Sequence, residues 1–430
     1  MKNDKKSNIK NQKNTNLPSK SRNALPDKPT PTSKNNQKIM TFAALAVVLV
    51  LTLAFVFLVM KPMDEKGLAY TVNADGVTCT ITGIGSCKLK TIEIPEYMEG
   101  YQVTALAKNA FKDCAKIKEV KIPESVTEMG ANVFYGCASL TKVNIPTGLT
   151  TLKSGMFYGC SSLQSIQLPE NLKALENYVF GECTSLSAVV LPRGLTSMGI
   201  GTFYWCRSLE VMNLPEAITT IGAVTFYECA KLKTLTFSEN VNEFGQMAFY
   251  GCVSLTEFTV PKGVTQLPDY LFDYCKSLTS VTLHDNITSF GQRVFAACTS
   301  LETITLPANL KTMGNHVFED CKKLKEIIIP DSVNTVAVNS FYNCASLETV
   351  TLSDSLETLP KHFFWKCTAL KEISIPVSVK KMDEMVFMNS AVEKILYEGT
   401  MEQWKAIDKN EQWDQGMESY TIICTDGTVK

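Results

Sequence analysis

The chain has 430 residues, 45% hydrophobic and 20% charged, a composition typical of folded proteins that excludes wholesale disorder and a polytopic membrane protein. Its net charge of −1 is unevenly distributed, because residues 1–38 carry +8 and residues 61–430 carry −9. The acidic character of the longer part argues against a nucleic-acid-binding protein. Residues 1–38 are rich in Asn, Lys, Ser and Pro, a composition that predicts a disordered basic tail.

Residues 39–60 are almost all apolar and contain no charged side chain. A helix of these 22 residues would be about 33 Å long, enough to span the hydrocarbon core of a bilayer. The alternative is a cleaved signal peptide, whose apolar region is normally only about 7–15 residues long and is followed by an A-x-A-like site. We therefore predict an uncleaved transmembrane signal anchor. The positive-inside rule then places residues 1–38 in the cytoplasm and residues 61–430 outside the cell, in a single-pass protein of the cell membrane.

The remainder of the chain repeats with a period of 23 residues. Twelve cysteines mark this period without a slip, Phe precedes each of them by three residues, and Leu (once Ile) follows each by three. The full repeat is L-x-x-V-x-L-P-x-x-L-x-x-L-G-x-x-x-F-x-x-C-x-x. The twelve positions are Cys114, Cys137, Cys160, Cys183, Cys206, Cys229, Cys252, Cys275, Cys298, Cys321, Cys344 and Cys367.

Each repeat predicts one coil of a solenoid. In the unit that begins at Leu140, the apolar residues Val143 and Ile145 alternate with polar ones, as in a half-buried strand. A proline, present at nine of twelve equivalent positions, ends this strand. A second short extended segment follows, and then a tight or helical turn carries Phe and Cys inward. One repeat has too few apolar residues to form a core alone, so parallel strands of successive coils must stack about 4.8 Å apart.

These motifs resemble those of the BspA-like leucine-rich-repeat proteins, whose repeats carry L-x-x-I-x-I-P and A-F-x-x-C. The resemblance implies a right-handed leucine-rich-repeat solenoid of short parallel β-strands over residues 95–390. Residues 61–94 resemble the family's N-terminal cap hairpin and its linker, with a turn at Asp75-Gly76, and residues 391–430 resemble its C-terminal cap. The first coil is atypical, because Pro95 and Pro123 are 28 residues apart. The family implies surface adhesion and protein recognition.

The cysteine ladder has three possible explanations. A metal site is disfavoured, because no C-x-x-C occurs and the chain has only three His residues, which do not recur from one repeat to the next. Disulfides are disfavoured because equivalent side chains of parallel coils point the same way. A stack of small buried residues is favoured, since free Cys is among the most buried residue types and Ser390 takes the next position. For Cys79 and Cys87, in the exported part, both a disulfide and free thiols remain open.

Catalysis has no sequence support. The chain contains no G-x-S-x-G, H-E-x-x-H, P-loop or dinucleotide-binding motif, so we predict no catalytic residue, no cofactor, no metal and no enzyme. His316 and His362 precede core Phe residues and His284 replaces a turn proline, and we interpret all three as surface variation. The carboxylates are scattered through the turns.

Two outward surfaces could bind a partner. One is the outer face of the strands, where Thr is frequent, although Thr is also simply a good strand residue on a solvated face; its candidate residues are Thr236, Thr259, Thr282 and Thr305. The other is an aromatic stripe at or near the residue after the core Phe, which could instead stack on itself and seal the turn. Its members are Tyr135, Tyr158, Tyr204, Trp205, Tyr227, Tyr250, Tyr274, Tyr342 and Trp365.

These observations predict a cell-surface leucine-rich-repeat protein that mediates protein–protein binding or adhesion. The expected partner is an extracellular protein, such as a host or matrix protein, and not a nucleic acid. Two alternatives come from other functional classes. One is a structural, wall-associated spacer without a specific ligand, and the other is a glycan-binding module that uses the aromatic stripe.

Overall fold

A computed structural model of the protein describes residues 67–429, so the predicted tail (residues 1–38) and the predicted membrane anchor (residues 39–60) lie outside the described residues. Between residues 67 and 429 no helix has the length and hydrophobicity that crossing a membrane requires. The described residues form a solenoid in which each 23-residue repeat is one coil, which confirms the predicted leucine-rich-repeat architecture.

One side of each coil is the strand that precedes the turn proline, and together these strands form the first sheet. We call this layer the first sheet although its hydrogen bonding is interrupted: parallel pairing runs in groups of two or three strands, as where Phe258 pairs with Val281 and Thr259 with Thr282. Most inward residues are buried and most outward ones exposed, as the alternation predicted; the inward Leu235 is an exception and is only partly buried. Residues 303–305 keep this alternation without forming a strand. The strands are Thr91–Glu93, Glu119–Lys121, Lys142–Val143, Ser165–Ile166, Ala188–Val189, Val211–Asn213, Thr234–Thr236, Glu257–Thr259, Ser280–Thr282, Glu326–Ile328, Thr349–Thr351, Glu372–Ile375, Lys394–Tyr397 and Thr421–Cys424.

A second side carries the short strand that follows the proline turn, and these strands form a second layer, the second sheet, whose parallel pairing is likewise interrupted into groups. A glycine often ends this strand because the chain then approaches the preceding coil closely: a Cβ on Gly245 would lie 2.2 Å from the Ala223 nitrogen. The strands are Tyr101–Leu106, Glu128–Met129, Thr151–Leu152, Ala174–Leu175, Ser197–Met198, Thr220–Ile221, Glu243–Phe244, Gln266–Leu267, Ser289–Phe290, Thr312–Met313, Thr335–Val336, Thr358–Leu359, Lys381–Met382 and Asp408–Lys409.

The third side is a turn, not a helix, and it contains two residues with positive φ. One lies two residues before the core Phe and the other directly before the Cys, as with Val224 (φ 49°) and Glu228 (φ 55°) around Phe226. A non-glycine residue in this conformation costs roughly 1–2 kcal/mol. The cost is offset because the same segment bonds to the next coil: the N–H groups of Val224, Phe226 and Glu228 donate to carbonyls 22 residues later at 2.7–2.9 Å.

The turn carries the core Phe inward, where these rings form one continuous stack, the Phe ladder. Successive centroids lie 5.5–5.8 Å apart with interplanar angles of 4–13°, from Phe111 to Phe387. Offset stacking at this spacing contributes about 0.5–1.5 kcal/mol per pair beyond the burial of apolar area. A ring in the middle of the ladder is therefore covered on both faces by neighbouring coils.

Both ends of the solenoid are atypical, as repeat proteins require. At the start, Ala69–Val72 and Thr78–Gly83 form an antiparallel hairpin that pairs with the second sheet. The extra residues of the first coil form a second hairpin, in which Tyr97–Met98 pairs antiparallel with Tyr101–Leu106. At the other end, the helix Met401–Ala406 begins with a capping box at Thr400 and Gln403. Nearby, Trp413 packs edge-on against Phe387 and covers the last ring of the Phe ladder.

We expect Phe249→Ala to lower the free energy of unfolding by about 3–5 kcal/mol, the range for emptying a packed aromatic site. Phe249 is fully buried between Phe226 and Phe272, with centroid distances of 5.8 and 5.6 Å. Because solenoid coils contact only their neighbours, hydrogen exchange should accelerate first in the adjacent coils. The control Thr259→Ala, on the exposed face, should change stability by less than about 0.5 kcal/mol. Equal disruption by both variants would contradict the assignment of inner and outer faces.

Candidate binding surfaces

The cysteines form a second internal ladder, and its thiols are unsuited to chemistry. All are free, and every ladder thiol after Cys114 is buried. From Cys137 onward, each Sγ lies 3.1–3.3 Å from the carbonyl oxygen of the core Phe one coil earlier, as a weak S–H donor. Burial raises the pKa of Cys137 to about 12 and holds the pKa values of the deeper thiols above their usual range as well. Cys79 and Cys87 are likewise buried, free thiols.

Charged side chains gather at one place on the turn side, which corrects the expectation that carboxylates are scattered. Arg293 lies between two carboxylates, 2.9 Å from Asp273 and 2.5 Å from Glu319. His316 Nδ1 lies 2.7 Å from Glu319, and Asn339 bridges His316 to His362 at 3.3 and 3.0 Å. Burial raises the pKa of Asp273, although Arg293 opposes that shift. This network spans five coils.

The interpretation of His316 and His362 as surface variation is therefore wrong, because both are half-buried members of this network. His284 lies elsewhere, at the turn-proline position of its repeat, where its Nε2 is 2.8 Å from the carbonyl oxygen of Pro261 in the preceding repeat. Across residues 67–429, no group of three or more His, Cys, Asp or Glu side chains is arranged to hold a metal ion.

The first candidate surface, the outer face of the first sheet, is an exposed polar face. Its predicted members Thr236, Thr259, Thr282 and Thr305 all point to solvent. Four apolar residues interrupt it, Val190 at 81% exposure, Val211 at 48%, Ile328 at 67% and Ile423 at 36%. Of these only Val190 and Val211 lie in neighbouring coils, so the four do not form one extended apolar patch. This face also carries two grooves, one of about 940 Å³ around Lys121, Asn144 and Gln167 and one of about 400 Å³ around Thr236, Thr259 and Thr282. Their linings are more polar than that of the groove on the turn side described below, and ligand sites are usually lined mainly by apolar groups.

The second candidate surface is the turn face, the outward side of the turns. Three columns of side chains project from it: the residue two before the core Phe, the residue after that Phe, and the residue before the Cys. Of the predicted aromatic residues, Tyr274 is 40% exposed and the others are half-buried. They form two groups that the charged network separates: Tyr135, Tyr158, Tyr204, Trp205, Tyr227, Tyr250 and Tyr274 in one, and Tyr342 and Trp365 in the other.

Within the larger group, several rings stack face to face along the solenoid. Tyr135 and Tyr158 lie 4.9 Å apart at 8°, and Tyr227 and Tyr250 lie 4.7 Å apart at 4°. This geometry covers one face of each ring, and because the residues are only half-buried, part of each ring stays exposed. The predicted self-stacking is thus present, together with an open surface.

Sequence analysis missed Tyr178, which belongs to the neighbouring column two residues before Phe180. In this coil Gly181 replaces the aromatic residue after the Phe, and the Tyr158 ring occupies the free space, 2.6 Å from where a Cβ would stand. Tyr178 in turn lies over Gly201, whose Cβ would come within 2.2 Å of the ring. The sequence does contain a feature that could have revealed it. Tyr178 lies two residues before the core Phe in the one coil where a glycine, Gly181, interrupts the aromatic stripe.

These columns enclose a groove of about 710 Å³ along the turn face, which we call the tyrosine groove. Hydroxyl and amide groups accompany the rings, and Tyr158 donates a hydrogen bond to Glu182 at 2.5 Å. Burial, and secondarily the negative charge of Asp273, raises the pKa of Tyr250 to about 12. The groove is lined by Asn132, Tyr135, Ser154, Gly155, Tyr158, Asn177, Tyr178, Tyr204, Val224, Tyr227 and Met247.

The sequence matches the family model of the BspA-type leucine-rich-repeat region over residues 85–210, 196–324 and 291–407, which together cover more than half of the chain. The chain belongs to the BspA-type leucine-rich-repeat family. The matched motifs are core motifs of the solenoid, so they specify this scaffold and not a ligand. A BspA-type solenoid typically provides an extended binding scaffold and not a catalytic site.

Solved structures share the fold of this BspA-type chain. A leucine-rich repeat protein from Bacteroides ovatus is 23% identical, with a TM-score of 0.62 over 84% of this chain and 98% of that one. The pneumococcal vaccine antigen PcpA is 19% identical, with a TM-score of 0.57 over 85% of this chain and 98% of that one. No curated protein is significantly similar to the sequence. At these identities the similarities show the fold alone.

Proposed function

We propose that this protein is a cell-surface binding protein that contacts an extracellular protein partner through the tyrosine groove. The observation that carries the proposal is the groove itself, a concave surface of about 710 Å³ lined by five tyrosines and several amide and hydroxyl groups. Binding sites are typically concave and apolar with a few convergent polar groups. Tyrosine is also among the residue types that contribute most to the binding energy of protein interfaces.

A protein partner fits the groove better than a glycan does. Sugars bind aromatic residues by stacking on broad, open ring faces, whereas one face of Tyr158 is covered by Tyr135 and one face of Tyr204 by Tyr227. The half-buried rings and the amide and hydroxyl groups beside them instead suit the mixed apolar and hydrogen-bonding contacts of a protein interface.

A second candidate function is a structural spacer without a specific ligand, and the same stacking favours it. If the tyrosines serve mainly to seal the turns between coils, the turn face needs no partner. The spacer hypothesis accounts for the stacked pairs, but not for Tyr178, which stands almost perpendicular to its neighbours and widens the exposed aromatic surface.

The proposed location follows from the charge and hydropathy of the first 60 residues. We propose that residues 39–60 anchor the chain in the cell membrane, with the basic residues 1–38 in the cytoplasm and the solenoid outside. The turn face would then be accessible to proteins outside the cell.

The double variant Tyr204→Ala/Tyr227→Ala should weaken partner binding at least tenfold, because truncating aromatic hot-spot residues commonly costs more than about 2 kcal/mol. Intact cells that display the full-length chain would be tested against arrays of purified extracellular-matrix and host-surface proteins. The matched control Thr259→Ala/Thr282→Ala alters the outer face of the first sheet and should change binding by less than twofold.

The control defines the outcomes that contradict this proposal. Loss of binding in the threonine variant with retention in the tyrosine variant would assign binding to the first sheet. Binding to glycan arrays but to no protein would support a glycan-binding module, and absence of any ligand on both arrays would support a spacer.

For the topology, protease treatment of intact cells should degrade the solenoid and spare an epitope tag placed before residue 1. The positive-inside rule predicts this result, since ten Lys and Arg residues precede the apolar segment. Permeabilised cells provide the control, because the tag should be cleaved there. Loss of the tag from intact cells with survival of the solenoid would reverse the proposed orientation.

A further inference from the structure

Three tyrosines of the groove form a corner of aromatic rings at Gly181. The Tyr178 ring stands at 70° to the Tyr158 ring and at 82° to the Tyr204 ring, with centroid distances of 6.3 and 5.9 Å. The stacked pairs elsewhere on the turn face are nearly parallel, with angles of 8° and 4°. At this corner, rings from two columns line the tyrosine groove in different orientations.

The corner exists because two glycines leave room for it. The Tyr158 ring lies over Gly181, and the Tyr178 ring lies over Gly201. Gly201 also has a φ of 61°, a conformation that glycine adopts without strain. A side chain at either glycine would displace the ring that lies against it.

A carboxylate without a cation accompanies the three rings. Glu182 accepts a hydrogen bond from the Tyr158 hydroxyl at 2.5 Å, and its backbone N–H donates to the Tyr204 carbonyl. Burial and, secondarily, the Glu182 charge raise the pKa of Tyr204. Among residues 67–429, Glu182 forms no ion pair with a Lys, Arg or His side chain.

Other aromatic residues of the turn face already hold a cation from this chain. Lys112 Nζ lies 4.9 Å from the centre of the Tyr135 ring, and the Arg207 guanidinium lies 4.2 Å from the Trp205 ring. Glu228, two coils from Glu182 in the same column, lies 3.7 Å from Arg207. The corner at Tyr178 likewise combines aromatic rings with a glutamate carboxylate. Within the described part of the chain, however, no Lys or Arg side chain lies over its rings or pairs with Glu182.

We infer that Tyr158, Tyr178, Tyr204 and Glu182 form a cation cage that takes the ε-ammonium group of a lysine of the partner protein. Ring faces attract ammonium ions through their quadrupoles, and several rings around one cation are a recurrent arrangement for such recognition. A carboxylate favours an ammonium that carries N–H groups, because it accepts a charge-assisted hydrogen bond from it. A quaternary ammonium has no N–H to donate. The acidic character of residues 61–430, at −9, also favours a basic partner.

The inference rests on the proposed function for the source of the lysine, but the cage can be tested without the partner. The probes are N-acetyl-lysine methylamide, its neutral analogue N-acetyl-norleucine methylamide, and the Nε-trimethylated lysine derivative. Each would be titrated into the detergent-solubilised full-length chain and followed by ligand-observed NMR. The lysine probe should bind at least fivefold more tightly than the norleucine probe and more tightly than the trimethylated one.

Single substitutions test whether the lysine probe binds at the proposed cage. Glu182→Gln keeps the size of the side chain and an acceptor for Tyr158, and it should weaken the lysine probe at least fivefold. Tyr178→Leu should do the same by removing one ring. Glu228→Gln is the matched control, because Glu228 has the same position in its turn and a similar φ of 55°, and it should change the affinity by less than twofold.

Equal affinity for the lysine and norleucine probes, or no effect of Glu182→Gln, would overturn the cage. Tighter binding of the trimethylated probe would overturn the assignment to lysine. The two proposals fail separately. If Tyr204→Ala/Tyr227→Ala abolishes partner capture but the lysine probe does not bind, only the cage is wrong. If the probe binds the cage but the partner binds the first sheet, only the proposed function is wrong.

Discussion

The whole structure depends on one constraint: every core Phe inside the ladder must be covered on its two faces by the equivalent rings of the preceding and the following coil. A centroid spacing of 5.5–5.8 Å, maintained over thirteen rings, requires each repeat to return the chain to the same position. This requirement explains why the core Phe recurs in the sequence every 23 residues. Where the ladder ends, Trp413 takes the place of the next ring.

The turn that carries Phe inward also creates the candidate site. Positive φ at Val224 and Glu228 reverses the chain within a few residues, and inter-coil hydrogen bonds hold those angles. Because the chain reverses so tightly, the residues on either side of the Phe project outward in closely spaced columns. The turn face is therefore rigid, and its side chains repeat at the spacing of the coils. A rigid surface loses little conformational entropy on binding a partner.

Much of the fold could be predicted because inner and outer positions recur with the period. Phe249, Cys252 and Thr259 lie where the repeat places them. The donor role of the thiols could not be predicted, since a pattern indicates burial but not which carbonyl a buried group contacts. Positive φ at Val224 or Tyr178 runs against the local preference of these residue types, and only the bonds to neighbouring coils stabilise it.

The candidate site was predicted only in part, for a related reason. The stripe after the core Phe was visible in one column of the repeat, so Tyr158, Tyr204 and Tyr227 were found. Contacts between columns depend on the direction in which each turn projects its side chains, which the repeat pattern does not give. For that reason the sequence did not reveal the role of Tyr178 or the ion pairs that join Asp273 through Arg293 to Glu319. Groups from coils two repeats apart meet there, and no local pattern connects them.

Hydroxyl-radical footprinting of the full-length chain with and without its bound partner tests the central claim, that the tyrosine groove is the binding surface. The account predicts that oxidation of Tyr158, Tyr178, Tyr204 and Tyr227 falls severalfold in the complex. Tyr97, 56% exposed in the hairpin of the first coil, should be oxidised equally in both samples. Unchanged oxidation of the four groove tyrosines, with protection of Val190 and Ile328 on the first sheet, would contradict the account.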